Sequence, residues 1–413
     1  MTAEPALLVD IGSTVIKICV RRGPGRFSGV EKVTRRPGVA PGDQARELIE
    51  QRQRSTGISA VRICSSANGG LRIGILGLSR RHSVAAASRA AVQAGGNVMY
   101  ARALAGGEPG LAPLVDVLVL AGGVDGADPQ RLRRALKVTR LADYPHDVLV
   151  WAGADAPDVV AGLPVDRRAA NVLGRDLRPR LQGLADVICD IYVHDLVDHK
   201  GLRAVADLTD IQIWPTPAVV GLAAELMAGR RVPAAPPAPF VVVDAGGATT
   251  DVFICAELRA DHAARSAPGE SIVRHVFTDL GVAASRDVLL RRLGGDPDLL
   301  DLVSAVAPSR SRALYNAICE NAADSLDPPV GFLTCLFLGL RHLARARTPP
   351  AAELGRAASF VITGGAWTGT PVSAIRRVID VACGTPGLAS SVILDRDYRL
   401  WAHGIGEVPG KER

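Results

Sequence analysis

Short runs of Val, Ile and Leu recur along the chain, and each ends in glycine or a small polar residue. The runs are "ALLVDIG" (Ala6–Gly12), "AVRICSS" (Ala60–Ser66), "LRIGILG" (Leu71–Gly77), "VDVLVLAGG" (Val115–Gly123), "DVLVWAG" (Asp147–Gly153), "FVVVDAGG" (Phe240–Gly247) and "SFVITGG" (Ser359–Gly365). A continuous apolar run of this length is typical of a strand buried on both faces. Helical stretches such as Ser83–Gly95 and Asp128–Thr139 lie between several runs. Strands that alternate with helices predict an α/β fold.

A proline-rich segment, "AGRRVPAAPPAPF" (Ala228–Phe240), interrupts this pattern, and proline cannot continue a helix. The 413 residues are too many for one ordinary core. We therefore predict a first domain over 1–231, a second over 232–375 and a C-terminal segment over 376–413. The second contains a long helical region, 296–347, to which the sequence assigns no role beyond docking.

Composition excludes several classes of protein. Hydrophobic residues make up 48% and charged residues 22% of the chain, as in a globular protein. The formal charge is +6, but the basic residues are scattered among acids, which favours a solvated surface over a nucleic-acid site. No stretch approaches the length of a membrane span. We expect a partner that is neither nucleic acid nor membrane.

The seven cysteines form no C-x-x-C pair, and most lie inside apolar runs. This usage is typical of buried thiols in a reducing compartment, so we expect a soluble cytoplasmic protein. Cys64 is not expected to be a nucleophile, because no histidine stands beside it in the sequence.

The stretch "VVVDAGGATTDV" carries the first candidate chemistry. A strand ends near Asp244, and Gly246 and Gly247 then allow close approach of the backbone to a ligand. Exposed N–H groups there form an anion-binding concavity, and Thr249 and Thr250 add hydroxyl donors. A carboxylate does not itself bind phosphate, so Asp244 implies a hydrated cation or an oriented water. Taken alone, the stretch is equally consistent with a tight β-hairpin.

The N-terminal stretch "LLVDIGSTVIKICV" repeats this design. A strand leads to Asp10, and Gly12, Ser13 and Thr14 follow before the next strand. Lys17 is either a cationic group of the same site or a solvated lysine at a strand edge. Two such turns, one in each half of the chain, predict two related half-domains that hold one polyphosphate.

A third turn, "SFVITGGAWTGTP", places Gly364 and Gly365 after a strand and before a predicted helix start. Glycine backbone of this kind allows a flat base to lie against it. The three turns in this order resemble the two phosphate motifs and the adenosine motif of the acetate and sugar kinase, heat-shock chaperone and actin superfamily. "PTPAVVGLAAEL" (Pro215–Leu226) and "DRDYRLWAHGIG" (Asp395–Gly406) resemble its two connecting helices.

The resemblance implies a duplicated actin-like ATPase fold, with two ribonuclease-H-like domains around a nucleotide cleft and an α/β insertion between the phosphate motifs. It implies ATP and Mg²⁺ as cofactors. Asp10 and Asp244 would hold Mg²⁺ through water and orient an attacking water. The implied nucleotide contacts are Gly12, Ser13, Thr14, Lys17, Gly246, Gly247, Thr249, Thr250, Gly364 and Gly365. Small residues would let the two connecting helices cross closely at a hinge, and these are Ala218, Gly221, Ala402 and Gly404.

A narrower resemblance covers most of the chain. The stretches Arg62–Val98 and Val115–Pro129, with "VVVDAGGATTDVF", "TDLG" and "LDRDYRLWAHGIG", resemble the glutamate mutase accessory family called MutL or GlmL, which is unrelated to the mismatch-repair protein of the same name. This resemblance implies an ATP-dependent reactivating chaperone whose client is an adenosylcobalamin-dependent amino-acid mutase. It implies domain closure driven by ATP, with slow hydrolysis. It leaves the oligomeric state open.

The chain itself is not expected to bind cobalamin. None of its eight histidines lies in the D-x-H-x-x-G signature, and "DHKG" (Asp198–Gly201) has the wrong spacing. His194 and His199 are interpreted as surface or hinge residues rather than metal ligands. The turn "AGGVDG" (Ala121–Gly126) is either functional or an ordinary end of a strand.

Two other functions share the same motifs. A small-molecule kinase needs a substrate base in the cleft, and no sugar-kinase signature is visible. A nucleotide-binding scaffold without hydrolysis is the other alternative, although Asp10, Asp244 and Asp251 are all retained.

Overall fold

The computed structural model describes residues 4–66, 71–104, 112–199, 201–209, 211–229, 232, 235–255, 272–346 and 349–408. The chain forms two compact units. The first unit combines Met1–Gly69 with Ala204–Arg413, and the second unit is Gly70–Arg203. The predicted domain limits at 231 and 375 stay a prediction.

The strands of the described ranges are β1 (Ala6–Ile11), β2 (Val15–Gly23), β3 (Arg26–Phe27), β4 (Glu31–Thr34), β5 (Val61–Ser65), β6 (Arg72–Gly77), β7 (Asn97–Ala103), β8 (Val115–Ala121), β9 (His146–Trp151), β10 (Arg167–Arg168), β11 (Trp214–Pro215), β12 (Phe240–Ala245), β13 (Thr250–Cys255), β14 (Ile272–Phe277), β15 (Ser359–Thr363) and β16 (Ser391–Leu394).

The α-helices are α1 (Pro41–Thr56), α2 (Ala85–Gln93), α3 (Gln130–Val138), α4 (Pro157–Val160), α5 (Gln182–His199), α6 (Arg203–Ala206), α7 (Thr216–Ala228), α8 (Arg286–Gly295), α9 (Pro297–Val306), α10 (Ser311–Cys319), α11 (Pro328–Arg345), α12 (Pro349–Leu354), α13 (Val372–Cys383) and α14 (Leu400–Glu407). A π-helical turn, Arg80–Val84, precedes α2. The helical region predicted over 296–347 is thus three helices, α9, α10 and α11. None of the helices in the described ranges is both long enough and apolar enough to span a bilayer.

The first unit contains the same sheet twice. One sheet has the order β11-β5-β1-β2-β3, with β4 also paired to β2, and the other has the order β14-β13-β12-β15-β16. In both sheets a central strand pairs antiparallel with the next strand and parallel with a later one, β5 or β15. This duplicated topology confirms the predicted actin-like fold.

The two connecting helices pack between these sheets. A single buried cluster joins Leu8 of β1 and Val242 of β12 with Val219 of α7 and Trp401 of α14. The central strands carry continuous apolar runs because they are covered on both faces. The helices predicted to meet at a hinge therefore form the layer between the two halves.

The two helices approach each other closely at Gly404. A methyl group at Gly404 would overlap the carbonyl oxygen of Val219. Of the other small residues predicted here, Gly221 faces Phe253 of β13 instead of α14.

We expect Gly404→Ala to force α7 and α14 apart and to lower the free energy of unfolding by about 1–3 kcal/mol. Urea denaturation followed by circular dichroism measures this change. The control is Gly295→Ala at the end of α8, where nothing lies within 4 Å of an added methyl group. Equal stability of the two variants would contradict the close crossing.

The second unit is an α/β layer built on a parallel sheet of order β10-β9-β8-β6-β7. In the chain it lies between the turns that follow Asp10 and Asp244, which we call the two phosphate turns. Its position confirms the predicted α/β insertion. After β8, Gly123 takes a positive φ of 79°. The carboxylate of Asp125 accepts hydrogen bonds from the Asp155 N–H at 3.1 Å and the Asn171 side chain at 3.0 Å. The turn "AGGVDG" thus connects the loop after β8 to the loops that follow β9 and β10.

Candidate functional site

The three predicted turns line one cavity of about 360 Å³ in the first unit. The predicted site residues that line it are Asp10, Gly12, Ser13, Thr14, Lys17, Asp244, Gly246, Gly247, Thr249, Gly364 and Gly365. Thr250 is the predicted residue that the structure places elsewhere. Its side chain is fully buried, and its hydroxyl donates to the Leu280 carbonyl at 2.5 Å.

The two phosphate turns have the same backbone geometry. The N–H of Gly12 donates to the Val15 carbonyl at 3.0 Å, and the N–H of Gly246 donates to the Thr249 carbonyl at 2.9 Å. Both bonds join the second and fifth residues after the strand aspartate. The loop tips face each other, because a methyl group at Gly247 would lie 3.5 Å from the Ser13 hydroxyl. One ligand can therefore contact both turns.

Asp10 is a fully partnered carboxylate at the end of β1. Its Oδ2 lies 2.8 Å from Lys17 Nζ, and its Oδ1 accepts a hydrogen bond of 2.6 Å from the Thr216 hydroxyl. Burial lowers the pKa of Lys17, but Asp10 and Asp244 outweigh it, so the Lys17 pKa lies above its ordinary value. Lys17 thus pairs with Asp10 at the cavity and is not a solvated lysine at a strand edge. Thr216, which the sequence reasoning missed, links the first turn of α7 to this carboxylate.

Asp244 occupies the equivalent position in the second sheet and has a different environment. Its cross-strand partner is Asp251, whereas that of Asp10 is Lys17. Burial and then the Asp251 carboxylate raise the pKa of Asp244 to about 7, against the opposing charge of Lys17. Two carboxylates on one rung of a ladder repel each other, and a divalent cation would relieve that repulsion.

The donor set fits a hydrated Mg²⁺, which keeps several of its waters and needs only one or two carboxylates. Asp10 and Asp244 both line the cavity beside the hydroxyls of the phosphate turns. Across the described ranges, no group of three or more His, Cys, Asp or Glu side chains is arranged to hold a metal ion directly. Contact with Mg²⁺ through water stays a prediction.

Arg274 of β14 is a second residue that the sequence reasoning missed. Its Nε and Nη2 donate to Asp251 Oδ1 at 2.9 and 2.6 Å, and both side chains are buried. Thr249 also donates to Asp251, at 3.3 Å. The pair orients Asp251 at the cavity wall. The available signal was a single arginine within the strand "IVRHVF".

The adenosine turn closes the other end of the cavity. Gly364 takes a φ of 81°, and a methyl group there would overlap the Ala245 carbonyl and lie 2.6 Å from Asp244 Oδ1. Tyr398 and Thr368 line the same end, and their hydroxyls are 2.5 Å apart. The Tyr398 ring stacks on Trp367 with centroids 5.7 Å apart. The sequence "DRDYRLWAHGIG" contains this tyrosine but gave no sign that it reaches the cavity.

Two other candidates have ordinary explanations. Burial raises the pKa of Cys64 well above its usual range, and Asp10 adds to that effect, as is typical of a buried structural cysteine. His194 is exposed on α5, and its Nδ1 lies 2.8 Å from the Asp190 carbonyl. The side chain of His199 lies outside the described residues.

The environment of Asp244 predicts an unusual dependence of stability on pH. An aspartate in an unfolded chain has a pKa near 3.9, whereas that of folded Asp244 is about 7. Between these values the folded protein holds the proton more tightly. This carboxyl therefore makes the folded state less stable as the pH rises from about 4 to about 7, and the penalty is complete above pH 7.

We expect Asp244→Asn to raise the free energy of unfolding of the ligand-free protein by about 2 kcal/mol at pH 8. Solvent screens part of the charge, so this gain is smaller than the full difference in pKa would give. The gain should vanish near pH 4, where both states hold the proton. Denaturation of both proteins at pH 8 and at the lowest pH that keeps them folded measures it. A gain that does not depend on pH would show that charge is not its cause.

Comparison with known proteins gives three results. The family model described as "MutL protein" matches residues 6–321. The protein described as "Protein MutL" from Clostridium tetanomorphum is 26% identical over 351 residues, which cover 77% of this chain and 69% of that protein.

Among solved structures, the chain is similar to an activator of the 2-hydroxyisocaproyl-CoA dehydratase from Clostridium difficile with bound ADPNP. The identity is 10%, the coverage is 97% of this chain and 92% of that chain, and the TM-score is 0.33. It is also similar to a ROK family glucokinase from Streptomyces griseus in complex with glucose and AMPPNP. Here the identity is 12%, the coverage is 97% and 98%, and the TM-score is 0.38.

Proposed function

This chain belongs to the MutL protein family, and from that premise we propose that it is an ATP-binding accessory protein for an adenosylcobalamin-dependent amino-acid mutase. It reactivates the mutase and uses slow ATP hydrolysis to do so. One observation carries the proposal. Two turns of the same backbone geometry, with Asp10 and Asp244 at matching positions, line a single cavity.

The glycine-rich turns supply the contacts that phosphates need. Backbone N–H groups at a turn form an anion-binding concavity, and the hydroxyls of Ser13, Thr14 and Thr249 add donors around it. Bound Mg²⁺ would neutralise charge on the phosphates. Asp10 and Asp244 would hold the waters of such a cation and would orient the water that attacks the terminal phosphate.

The position of Asp10 connects this chemistry to domain motion. Thr216 holds Asp10 and is also the first residue of α7, which lies between the two sheets. A change in the contacts of Asp10 therefore acts directly on the helix layer of the hinge. Closure of the two halves on the nucleotide supplies the movement that a client mutase can use.

The test measures ATP turnover by the purified chain with Mg²⁺, with and without a candidate mutase that has been inactivated by its own turnover. We expect slow hydrolysis, together with recovery of mutase activity when adenosylcobalamin is added. Asp10→Asn, which loses the carboxylate, should support neither. Phosphoryl transfer to a small metabolite would favour a kinase instead. Binding of ATP without hydrolysis would favour a scaffold.

A further inference from the structure

Lys32 brings a positive charge to the cavity and places it on an aromatic ring. Its Nζ lies 2.9 Å from the centroid of the Tyr398 ring, and both residues line the cavity. Within the described residues no carboxylate forms an ion pair with Lys32, and the residue is exposed. Lys32 is thus a hydrated cation at the cavity mouth with only a weak partner.

The strand register adds a second, independent observation. Asp10 of β1 is paired with Lys17 of β2, and Lys17 is paired with Lys32 of β4. One acid and two lysines therefore form a row across three adjacent strands. Like charges directly opposite each other on a sheet are destabilising. Asp10 neutralises the charge of Lys17. The positive charge of Lys32 is therefore not balanced within this row, and an anion in the cavity would balance it.

The ring under Lys32 is held firmly in place. Tyr398 takes a positive φ of 54°, bonds the Thr368 hydroxyl and stacks on Trp367. It belongs to the half of the first unit that carries the adenosine turn, whereas Lys32 belongs to the half that carries Asp10. The contact between Lys32 and Tyr398 thus joins the two sides of the cavity.

A phosphate is a better partner for this ammonium group than a ring. A charge-assisted hydrogen bond to phosphate is stronger than a cation–π contact at an exposed position. Lys32 also has a long, flexible side chain on a strand next to the first phosphate turn. It can leave the ring without disturbing the sheet.

We propose that Lys32 is a phosphate-binding residue that exchanges its contact with Tyr398 for a phosphate of a nucleoside di- or triphosphate. The proposal rests on the proposed function, because it assumes a nucleotide in this cavity. The exchange would remove the charge from the face of the Tyr398 ring and break one link between the two halves. Bound polyphosphate would thereby change a contact between the two halves, whereas the nucleoside alone would not.

The experiment compares the wild-type chain with Lys32→Met, Lys32→Arg and Lys137→Met. The last variant removes an exposed lysine from α3 of the second unit and is the matched control. Isothermal titration gives the Kd for ATP and ADP with Mg²⁺ and for adenosine. Tryptophan emission, assigned with Trp367→Phe, follows the Tyr398–Trp367 stack.

We expect Lys32→Met to weaken ATP and ADP binding by about 10- to 100-fold and to leave adenosine binding unchanged. Lys32→Arg should keep most of the affinity, and Lys137→Met should match the wild type. Nucleotide should change the emission of the wild type more than that of Lys32→Met. If Lys32→Met binds ATP as tightly as the wild type, the proposed role of Lys32 is wrong and the proposed function still stands. A wild-type chain that binds neither ATP nor ADP would overturn the proposed function, and this inference with it.

Discussion

Asp244→Asn is expected to lower kcat for ATP hydrolysis by about 100-fold or more. Asparagine has the shape of aspartate but cannot accept a proton or hold the waters of a cation by charge. Asp10 keeps its own contacts with Lys17 and Thr216, so we do not expect its carboxylate to replace that of Asp244. Turnover of ATP with Mg²⁺ at pH 8 measures the loss.

This variant separates catalysis from folding. The same substitution should stabilise the ligand-free protein at pH 8, since it removes a carboxyl whose pKa is raised to about 7. A variant that is more stable and inactive cannot be explained by unfolding. Asp279→Asn, which changes an exposed carboxyl outside the cavity lining, is the control. Undiminished turnover by Asp244→Asn would remove Asp244 from the mechanism.

Arg274→Met is expected to lower the free energy of unfolding by about 3–5 kcal/mol. Methionine is similar in length but leaves the Asp251 carboxylate buried without its cation. The cost of an uncompensated buried charge exceeds the value of the ion pair itself. Urea denaturation at neutral pH measures the change.

A double variant tests this explanation. Arg274→Met combined with Asp251→Asn removes the buried charge together with its partner, so part of the lost stability should return. If the double variant is less stable than Arg274→Met by the full effect of Asp251→Asn alone, the two residues act independently and the ion-pair account is wrong.

The sequence by itself determined the three turns. The first and third turns require glycine locally, because the backbone at Gly12 and at Gly364 leaves no space for a side chain. Steric requirements of this kind can be recognised from the sequence alone. The continuous apolar runs likewise determined the strands and the α/β class, since a strand covered on both faces must be apolar throughout.

Thr249 and Thr250 show where local reasoning ends. Both are hydroxyl residues in the same turn, but successive residues of a strand point to opposite faces. Thr249 and Asp251 therefore line the cavity while Thr250 faces the core. Alternation alone shows that the two differ, and only the packing of β13 decides which one faces the cavity.

The tertiary structure alone decided the partners of the charged groups and the compact units. Asp10 meets Thr216, which is 206 residues away in the chain, and Asp251 meets an arginine on another strand. β5 and β11 pair in one sheet although the whole second unit lies between them in sequence. The physical reason is common to these cases. The backbone groups of a turn form hydrogen bonds with residues that are close in sequence. A buried charge or a sheet edge instead needs partners that only the fold places beside it.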